Sequence, residues 1–169
     1  ARELDFTACG VARAEAVDET TAQTFRRWID EGRHGSMQYM ENYLDKRLDP
    51  RLLLPGARSI IVVALNYYPA QRLSPTQLQF SYYAYGRDYH DVMKAKLRLL
   101  VETLQSLPTT PPCEGQEGGS SFLLCCDTVP ILDRYWAFRA GLGWIGKNNS
   151  LIIPGAGSYF FLGEIITTA

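Results

Sequence analysis

The clearest hydrophobic pattern in the chain is an unbroken apolar run between Ser59 and Asn66. Apolar residues that do not alternate with polar ones are typical of a strand covered on both faces, so this run predicts a strand in the centre of a sheet. After His90, apolar residues recur at intervals of four and three, at Met93, Leu97, Leu100, Leu104 and Leu107. This spacing predicts an amphipathic helix with a polar outer side.

Shorter patterns predict the remaining elements. Thr20 and Thr21 suit a helix cap, and the apolar positions after them predict a helix that ends at Glu31 and Gly32. A stripe at helical spacing predicts a short helix facing the core; it consists of Met37, Met40, Tyr43 and Leu44. We also predict a strand within 1–13, a connector at 108–121, a strand at 122–126, a helix at 130–140 and a hairpin over 150–167. This mixture is an α+β fold, with helices around a mostly antiparallel sheet.

The composition is that of one compact domain. The 169 residues are 46% hydrophobic and 21% charged, which is ordinary for a globular protein. The net charge of −1 gives no general attraction for nucleic acid, so a nucleic acid would have to bind a local basic patch. The longest purely apolar run, residues 60–65, is too short to cross a membrane. Because the chain starts without a signal segment or an initiator Met, we expect a processed or cut protein.

The four cysteines do not have the spacing of a metal site. Cys9, Cys113, Cys125 and Cys126 form no C-x-x-C pair, so the sequence favours neither a zinc site nor a four-iron cluster. So few cysteines indicate a reducing, cytoplasmic compartment rather than a disulfide-rich secreted domain. The adjacent Cys125 and Cys126 leave two interpretations, a redox pair or small apolar side chains in a buried strand, and the second is favoured.

A glycine-rich segment from Gly141 to Gly146 matches the G-x-G-x-x-G pattern of dinucleotide-binding loops. Extended to Lys147 it approaches a P-loop, although Asn148 stands where that motif has serine or threonine. Both motifs bind phosphate where a strand leads into a helix. Here the glycines follow a predicted helix and precede a predicted strand. We therefore exclude both nucleotide sites and predict a tight helix-to-strand connection.

Asp127 lies between the predicted strand at 122–126 and the next predicted helix. Desolvation there would raise its pKa and allow it to act as a general acid, but an aspartate at this position is equally suited to capping the helix. Asp133 and Arg134 suit a surface ion pair, and Arg134 also suits an anionic ligand. For His90, beside an aromatic cluster and a helix start, a capping role is favoured over that of a ligand or base.

Six segments are distinctive when taken in order along the chain. They read K-R-L-D-P, L-P-G-A-R-S-I-I, Y-A-Y-G-R-D-Y-H, D-T-V-P-I-L-D-R, A-G-L-G-W-I-G-K-N and G-S-Y-F-F-L-G-E-I, at residues 46–50, 54–61, 83–90, 127–134, 140–148 and 157–165. In this order they resemble the N-terminal catalytic domain of the epoxyqueuosine reductase family. Members of that family are cobalamin-dependent iron–sulfur enzymes of queuosine synthesis in tRNA.

The resemblance implies a nitroreductase-like α+β fold that binds a corrinoid, with the epoxyqueuosine of a tRNA above the cobalt. The aspartate of the family's D-T-x-P motif is its proton donor, which gives Asp127 that role here. The corrinoid-lining positions carried over are Arg47, Ser81, Asp127, Arg134, Leu151 and Ile153. Of these, the arginines suit the phosphate and amide groups of cobalamin. Leu151 and Ile153 would contribute main-chain groups from a strand edge.

The resemblance also implies that residues 1–169 are a single corrinoid-binding catalytic domain of a longer enzyme. In the family a ferredoxin-like domain with iron–sulfur clusters follows the Gly-Glu-Ile segment and delivers electrons, and the cysteine runs of that domain do not occur before Ala169. We therefore expect a monomer that is inactive without the iron–sulfur domain. The chain departs from the family at Asp133, usually glutamate, and near Asn149, where threonine is common.

Two other functions are compatible with the same residues. The first is an FMN-dependent, nitroreductase-like oxidoreductase, because the implied fold is shared with flavoproteins. The second is a corrinoid-binding module without catalysis. The spectrum of the bound cofactor would separate a flavin from a corrinoid.

Overall fold

The computed structural model describes residues 1–106 and 120–169. Its strands are β1 Ala8–Arg13, β2 Ser59–Asn66, β3 Phe122–Cys125, β4 Trp144–Ile145, β5 Leu151–Ile152 and β6 Phe160–Thr167. Its α-helices are α1 Glu19–Asp30, α2 Leu44–Leu48, α3 Tyr89–Ser106 and α4 Asp133–Arg139. The predicted helix position Leu107, Cys113 and most of the connector predicted at 108–121 lie outside the described residues.

Four strands form one sheet in the order β1-β2-β6-β3, with every neighbouring pair antiparallel. The prediction of an α+β fold with an antiparallel sheet is therefore confirmed. β2 is hydrogen-bonded on both sides, and Ile60, Val62 and Val63 are fully buried. This confirms the central strand predicted from the unbroken apolar run.

The helices cover both faces of the sheet. On one face, Met93 and Leu97 of α3 pack against Val63 and Ile165. On the other face, the fully buried Trp136 of α4 belongs to the main apolar core. The amphipathic spacing after His90 is confirmed, because Met93, Leu97 and Leu100 are all buried. The central strands are therefore held between two layers of apolar side chains, which fixes the positions of residues at their ends.

The first half of the chain differs from prediction in two places. The cap of α1 is Asp18, whose carboxylate accepts a hydrogen bond from the Thr21 backbone N–H at 3.0 Å. The prediction that a helical stripe from Met37 to Leu44 faces the core is wrong, because Met37 and Tyr43 are 40% and 66% exposed. Tyr43 adopts a φ of 56°, which interrupts a regular helix and starts α2 only at Leu44.

The second half also departs from prediction. The predicted hairpin over 150–167 is wrong, because β5 pairs with β4 while β6 pairs with β2 and β3. Both edges of β6 are already hydrogen-bonded to its neighbours in the main sheet, β2 and β3, so no edge of β6 is free to pair with β5. The helix predicted from Pro130 begins only at Asp133. The residues before it form a turn in which the Ile131 N–H donates to the Val129 carbonyl at 2.8 Å.

Two smaller predictions about local structure are confirmed. Gly141, with a φ of 78°, ends the segment after α4 and leads into β4, as expected for a helix-to-strand connection. Cys125 and Cys126 are buried, and burial raises the pKa of the Cys126 thiol to about 12. Their burial supports the apolar interpretation over a redox pair. Within the described ranges, no helix is both long and apolar enough to cross a membrane.

Candidate functional site

Asp127 lies in the loop between β3 and α4, at the edge of the sheet. Its φ of 53° lies in the left-handed region, which aspartate tolerates better than most residues and which is common at functional sites. The interpretation of Asp127 as a helix cap is wrong, because α4 begins six residues later with Leu132 at its N-cap. The Asp127 side chain is 51% exposed, so the loop presents its carboxyl group at the surface and the expected desolvation is wrong.

The start of α3 supplies two partners for this carboxylate. The Tyr89 hydroxyl donates a hydrogen bond to Asp127 Oδ2, and His90 Nε2 lies 4.0 Å from the same oxygen. His90 Nδ1 lies 2.8 Å from Asp88 Oδ1. Asp88 also accepts the His90 backbone N–H at 2.9 Å, so Asp88 rather than the histidine caps the helix. The imidazole therefore lies between two carboxylates and is available to both.

Aromatic stacking fixes the orientation of Tyr89. Its ring lies parallel to that of Phe161 on β6, with centroids 4.1 Å apart and an interplanar angle of 3°, and it stacks on His90 at 4.1 Å. Burial and the Asp127 carboxylate raise the pKa of the Tyr89 hydroxyl well above its usual range. Tyr89 is thus a neutral donor that holds Asp127 in place at physiological pH.

An aromatic surface leads from this acid to a pocket. Phe161 contacts Tyr67 with ring centroids 4.6 Å apart, and Tyr67 contacts Tyr159 at 5.7 Å. These two tyrosines line a pocket of about 400 Å³, together with Gln79, Phe80, Ser81, Tyr82 and Tyr83. The predicted cofactor residue Ser81 therefore faces a ligand-sized space that is connected to Asp127 through packed rings.

The two predicted arginines have different environments. Arg47 is buried, its Nε has no hydrogen-bond partner among the described residues, and burial lowers its pKa. Arg134 is exposed and donates to the Asn149 carbonyl. The expected surface ion pair between Asp133 and Arg134 is wrong, because the Asp133 carboxylate is turned inward while Arg134 reaches the loop before β5. Arg134 keeps the alternative role of binding an anion.

The other predicted positions lie near the β4–β5 hairpin. Leu151 and Ile153 are both buried. The Ile153 N–H donates to the Gly157 carbonyl at 2.8 Å, and its carbonyl accepts from Ala156 and Gly157 at 3.0 Å. The main-chain groups of Ile153 thus already have partners within its own turn. Arg134 reaches the same region through Asn149, so α4 and the hairpin form one wall.

Comparison with known proteins finds similarity to one family. The family model described as epoxyqueuosine reductase QueG, DUF1730, matches residues 47–122. The epoxyqueuosine reductase of Leadbetterella byssophila is 45% identical over 166 residues, which cover 98% of this chain and 52% of that protein. The corresponding protein of Cellulophaga algicola is 42% identical, over 96% of this chain and 50% of its own length. The chain is thus similar to epoxyqueuosine reductases over almost its whole length. It spans about half the length of these relatives.

Solved structures of epoxyqueuosine reductases share the fold. The Streptococcus thermophilus enzyme has a TM-score of 0.82 at 28% identity, over 99% of this chain and 44% of that one. A complex with an epoxyqueuosine-modified tRNA stem loop has a TM-score of 0.80 at 30% identity, over 99% and 43%. A Bacillus subtilis structure, with a TM-score of 0.79 at 28% identity over 99% and 44%, is described as having the catalytic aspartate loop swung out of the active site.

Two residues of the site, Tyr89 and Glu164, were given no role by the sequence, and the capping role predicted for His90 is wrong because Asp88 caps α3. Tyr89 stands in the Y-G-R-D-Y-H segment, which contributed only to the epoxyqueuosine reductase resemblance. Glu164 is fully buried on β6, and the signal for it was a single acidic residue in an otherwise apolar strand. Such a residue needs a compensating partner or a function, so it is a candidate for the site.

Proposed function

We propose that this chain binds a corrinoid and the epoxyqueuosine of a tRNA, and that it forms part of an enzyme that reduces epoxyqueuosine to queuosine. The observation that carries the proposal is the Asp127 carboxylate, which Tyr89 holds and His90 approaches at an exposed edge of the sheet. Similarity to epoxyqueuosine reductases supports the reaction, and the related tRNA stem-loop complex supports the substrate.

The reaction consumes protons, and Asp127 is a suitable acid to supply them. Converting an epoxide into an alkene consumes two electrons and two protons and releases the oxygen as water. In its protonated form Asp127 would transfer its proton to the oxygen as the carbon–oxygen bond breaks. The Tyr89 hydroxyl would keep the carboxyl group oriented, and His90 would lie beside the carboxylate that remains.

The side chains near this edge fit a corrinoid, which carries amide and phosphate groups around a large ring. Arg47 has a buried Nε without a partner in the described residues, and the Arg134 guanidinium is exposed; both suit such acceptors. Ser81 and the tyrosines line a pocket of about 400 Å³. A pocket of this size would hold one edge of the corrinoid ring and not the whole ring. When bound, a reduced corrinoid supplies the electrons for breaking the carbon–oxygen bond.

We place electron delivery in iron–sulfur clusters outside these 169 residues. In residues 1–106 and 120–169 there is no group of three or more His, Cys, Asp and Glu side chains placed to hold a metal ion. The resemblance implies a ferredoxin-like domain for this task. On this proposal the chain is a monomeric corrinoid-binding unit that performs at most one turnover unless electrons are supplied to it.

The test separates binding from chemistry. Purified protein is titrated with cobalamin by absorbance, reduced with a low-potential chemical reductant, and mixed with an epoxyqueuosine-containing stem loop. We expect a corrinoid spectrum without the lower base and conversion of one equivalent of substrate. Asp127→Asn should bind the corrinoid as tightly and lose conversion by about 100-fold or more. Asp30→Asn, at the end of α1, is a matched control.

Each alternative gives a different result in this experiment. Binding of FMN in place of the corrinoid would favour a flavin-dependent oxidoreductase. Corrinoid binding without conversion by the unmodified protein would favour a non-catalytic module. Full activity of Asp127→Asn would exclude Asp127 as the proton donor.

A further inference from the structure

A second carboxyl group lies inside the protein near Asp127. Glu164 is on β6, the strand bonded to β2 on one side and to β3 on the other. It is fully buried, and neither of its carboxyl oxygens has a hydrogen-bond partner in the part of the chain that the structure describes. Its register partner on β3 is Cys125, two residues before Asp127. The strand therefore places this acid directly behind the Asp127 loop.

Asp133, the first residue of α4, faces Glu164. Its Oδ1 is buried and likewise has no regular hydrogen bond within the described residues. The two carboxyl groups are close enough for each to affect the pKa of the other, and the Asp127 carboxylate acts on both. Burial, followed by repulsion from Asp133 and Asp127, raises the pKa of Glu164 well above its usual range. Burial likewise raises the pKa of Asp133 to about 6.

The surroundings of the pair contain few compensating charges. The ionisable groups facing it come from the β3 end, the following loop, α2 and α4; they are Cys125, Cys126, Asp127, Arg47 and Arg134. The thiols are neutral at physiological pH, because burial raises their pKa. Two buried carboxylates that face each other would be very unfavourable, so at least one of them holds a proton at neutral pH.

We propose that Asp133 and Glu164 form a buried acid pair that stores a proton behind Asp127 and supplies it to Asp127 after Asp127 has protonated the substrate. The proposal rests on the proposed function, in which Asp127 is the donor. Reduction of an epoxide needs two protons, whereas Asp127 holds one. Once a tRNA and a corrinoid cover the exposed Asp127, bulk water no longer reaches it. The acid pair lies on the side of Asp127 that faces the protein interior, so it can still supply a proton.

The transfer is balanced without a further reactant. The O–H bond of the acid pair breaks, a new O–H bond forms on the Asp127 carboxylate, and the pair gains one negative charge. Arg47, whose guanidinium interacts with Asp133, offsets part of that charge. After the product leaves, a proton from water restores the pair. Asp133 as a residue is partly exposed whereas Glu164 is fully buried, so Asp133 is the member of the pair nearer to solvent.

Glutamine at position 164 distinguishes proton storage from a structural role. Glutamine has the shape of a protonated glutamate and is neutral, so Glu164→Gln preserves packing but cannot release a proton. If Glu164 were only structural, this variant would behave like the unmodified protein. If the pair stores a proton, single-turnover conversion should slow by about 100-fold while corrinoid affinity stays the same. Glu102→Gln, exposed on α3, is the matched control.

Infrared spectroscopy gives a readout that needs neither substrate nor cofactor. A protonated carboxylic acid has a carbonyl stretch separate from that of a carboxylate, and we expect this band at neutral pH in the unmodified protein. It should disappear in Glu164→Gln and persist in Glu102→Gln. Absence of the band in the unmodified protein would overturn the proposal even if the protein reduces its substrate. Loss of all conversion by the unmodified protein would instead contradict the proposed function.

Variants at Asp133 keep the test decisive if Glu164→Gln does not fold. Asp133→Asn should slow conversion to a similar extent, and the double variant should be no slower than either single one, because the two residues act as a unit. Asp133→Glu retains the carboxyl group and should restore conversion. Activity of Asp133→Asn equal to that of the unmodified protein would contradict a role for the pair.

Discussion

The Tyr89 hydroxyl donates a hydrogen bond to the Asp127 carboxylate and so joins the first residue of α3 to the loop after β3. The two residues are 38 positions apart in the sequence, and Tyr89 is itself held by stacking on Phe161 of β6. The acid is therefore oriented by the packed sheet and not by its own loop.

Tyr89→Phe should remove the hydrogen bond and keep the ring stacking on Phe161. A hydrogen bond to a charged group contributes about 1.5–3 kcal/mol, so we expect single-turnover conversion to fall by about 10- to 100-fold. Corrinoid affinity should be unchanged. Tyr43→Phe, at a residue 66% exposed, is a control expected to have full activity. A Tyr89→Phe variant as active as that control would show that the contact does not orient the acid.

The stability of the protein should fall as the pH rises past the pKa of Asp133. Burial raises that pKa from 3.8 to about 6, so the folded state holds the proton more tightly than the unfolded state. The stabilising contribution is complete below the unfolded pKa and is lost as the pH rises through about 6. The total is about 3 kcal/mol.

Asp133→Asn should remove the contribution of Asp133 to this pH dependence, because asparagine does not ionise, and should leave that of Glu164. At pH values above about 7 the variant should therefore have a higher urea midpoint than the unmodified protein, although it converts substrate more slowly. Opposite changes in stability and activity are typical of residues that a functional site retains at a cost in stability. Equal midpoints at all pH values would show that the Asp133 carboxylate is not desolvated.

Arg47→Met should weaken corrinoid binding while leaving the fold intact. The buried guanidinium has an unpartnered Nε in the described residues, and a methionine of similar length needs no hydrogen bond there. We expect the dissociation constant for cobalamin to rise by about tenfold or more, and the free energy of unfolding to stay the same or increase. Arg27→Met on the exposed side of α1 is the control. Unchanged cobalamin affinity would remove Arg47 from the cofactor site.

Gly143→Ala should disturb the wall formed by the β4–β5 hairpin. A Cβ at Gly143 would collide with the carbonyl oxygen of Ile152, and a backbone neighbour cannot move aside as a side chain can. We expect a loss of about 2 kcal/mol or more in unfolding free energy. Gly32→Ala, where φ is 65° and the surroundings are open, should lose only about 1 kcal/mol. Similar losses in both variants would indicate that the hairpin adapts to the extra methyl group.

Elements were predictable from the sequence where the pattern of hydrophobic residues fits only one type of secondary structure. The run between Ser59 and Asn66 is too apolar for an edge strand, and the spacing from Met93 to Leu100 fits only a helix with one buried face. The partner of β6 was not predictable in this way. Its residues pair equally well with any apolar strand, and only the assembled sheet determines that β2 and β3 are its neighbours.

The site was predictable only in part, for a similar reason. Asp127 was identified by its position after a strand and by a motif, both of which are local in the sequence. Its contacts with Tyr89 and His90 depend on how α3 packs against the sheet, which no local pattern contains. The inward orientation of Asp133 depends on the start of α4, which lies three residues later than Pro130 suggests. Prediction therefore found the residue that bears the chemistry and missed the ones that support it.

β6 contributes to both sides of the sheet at once. Phe161 points toward α3 and supports Tyr89, while Glu164 points the other way, toward α4. Because side chains alternate along a strand, deleting one residue of β6 before position 161 would turn both groups to the wrong faces. The tyrosine and the buried acid would lose their places together, although they share no contact. Because side chains of β6 point alternately to the two faces of the sheet, this one strand couples two parts of the site that lie on opposite faces.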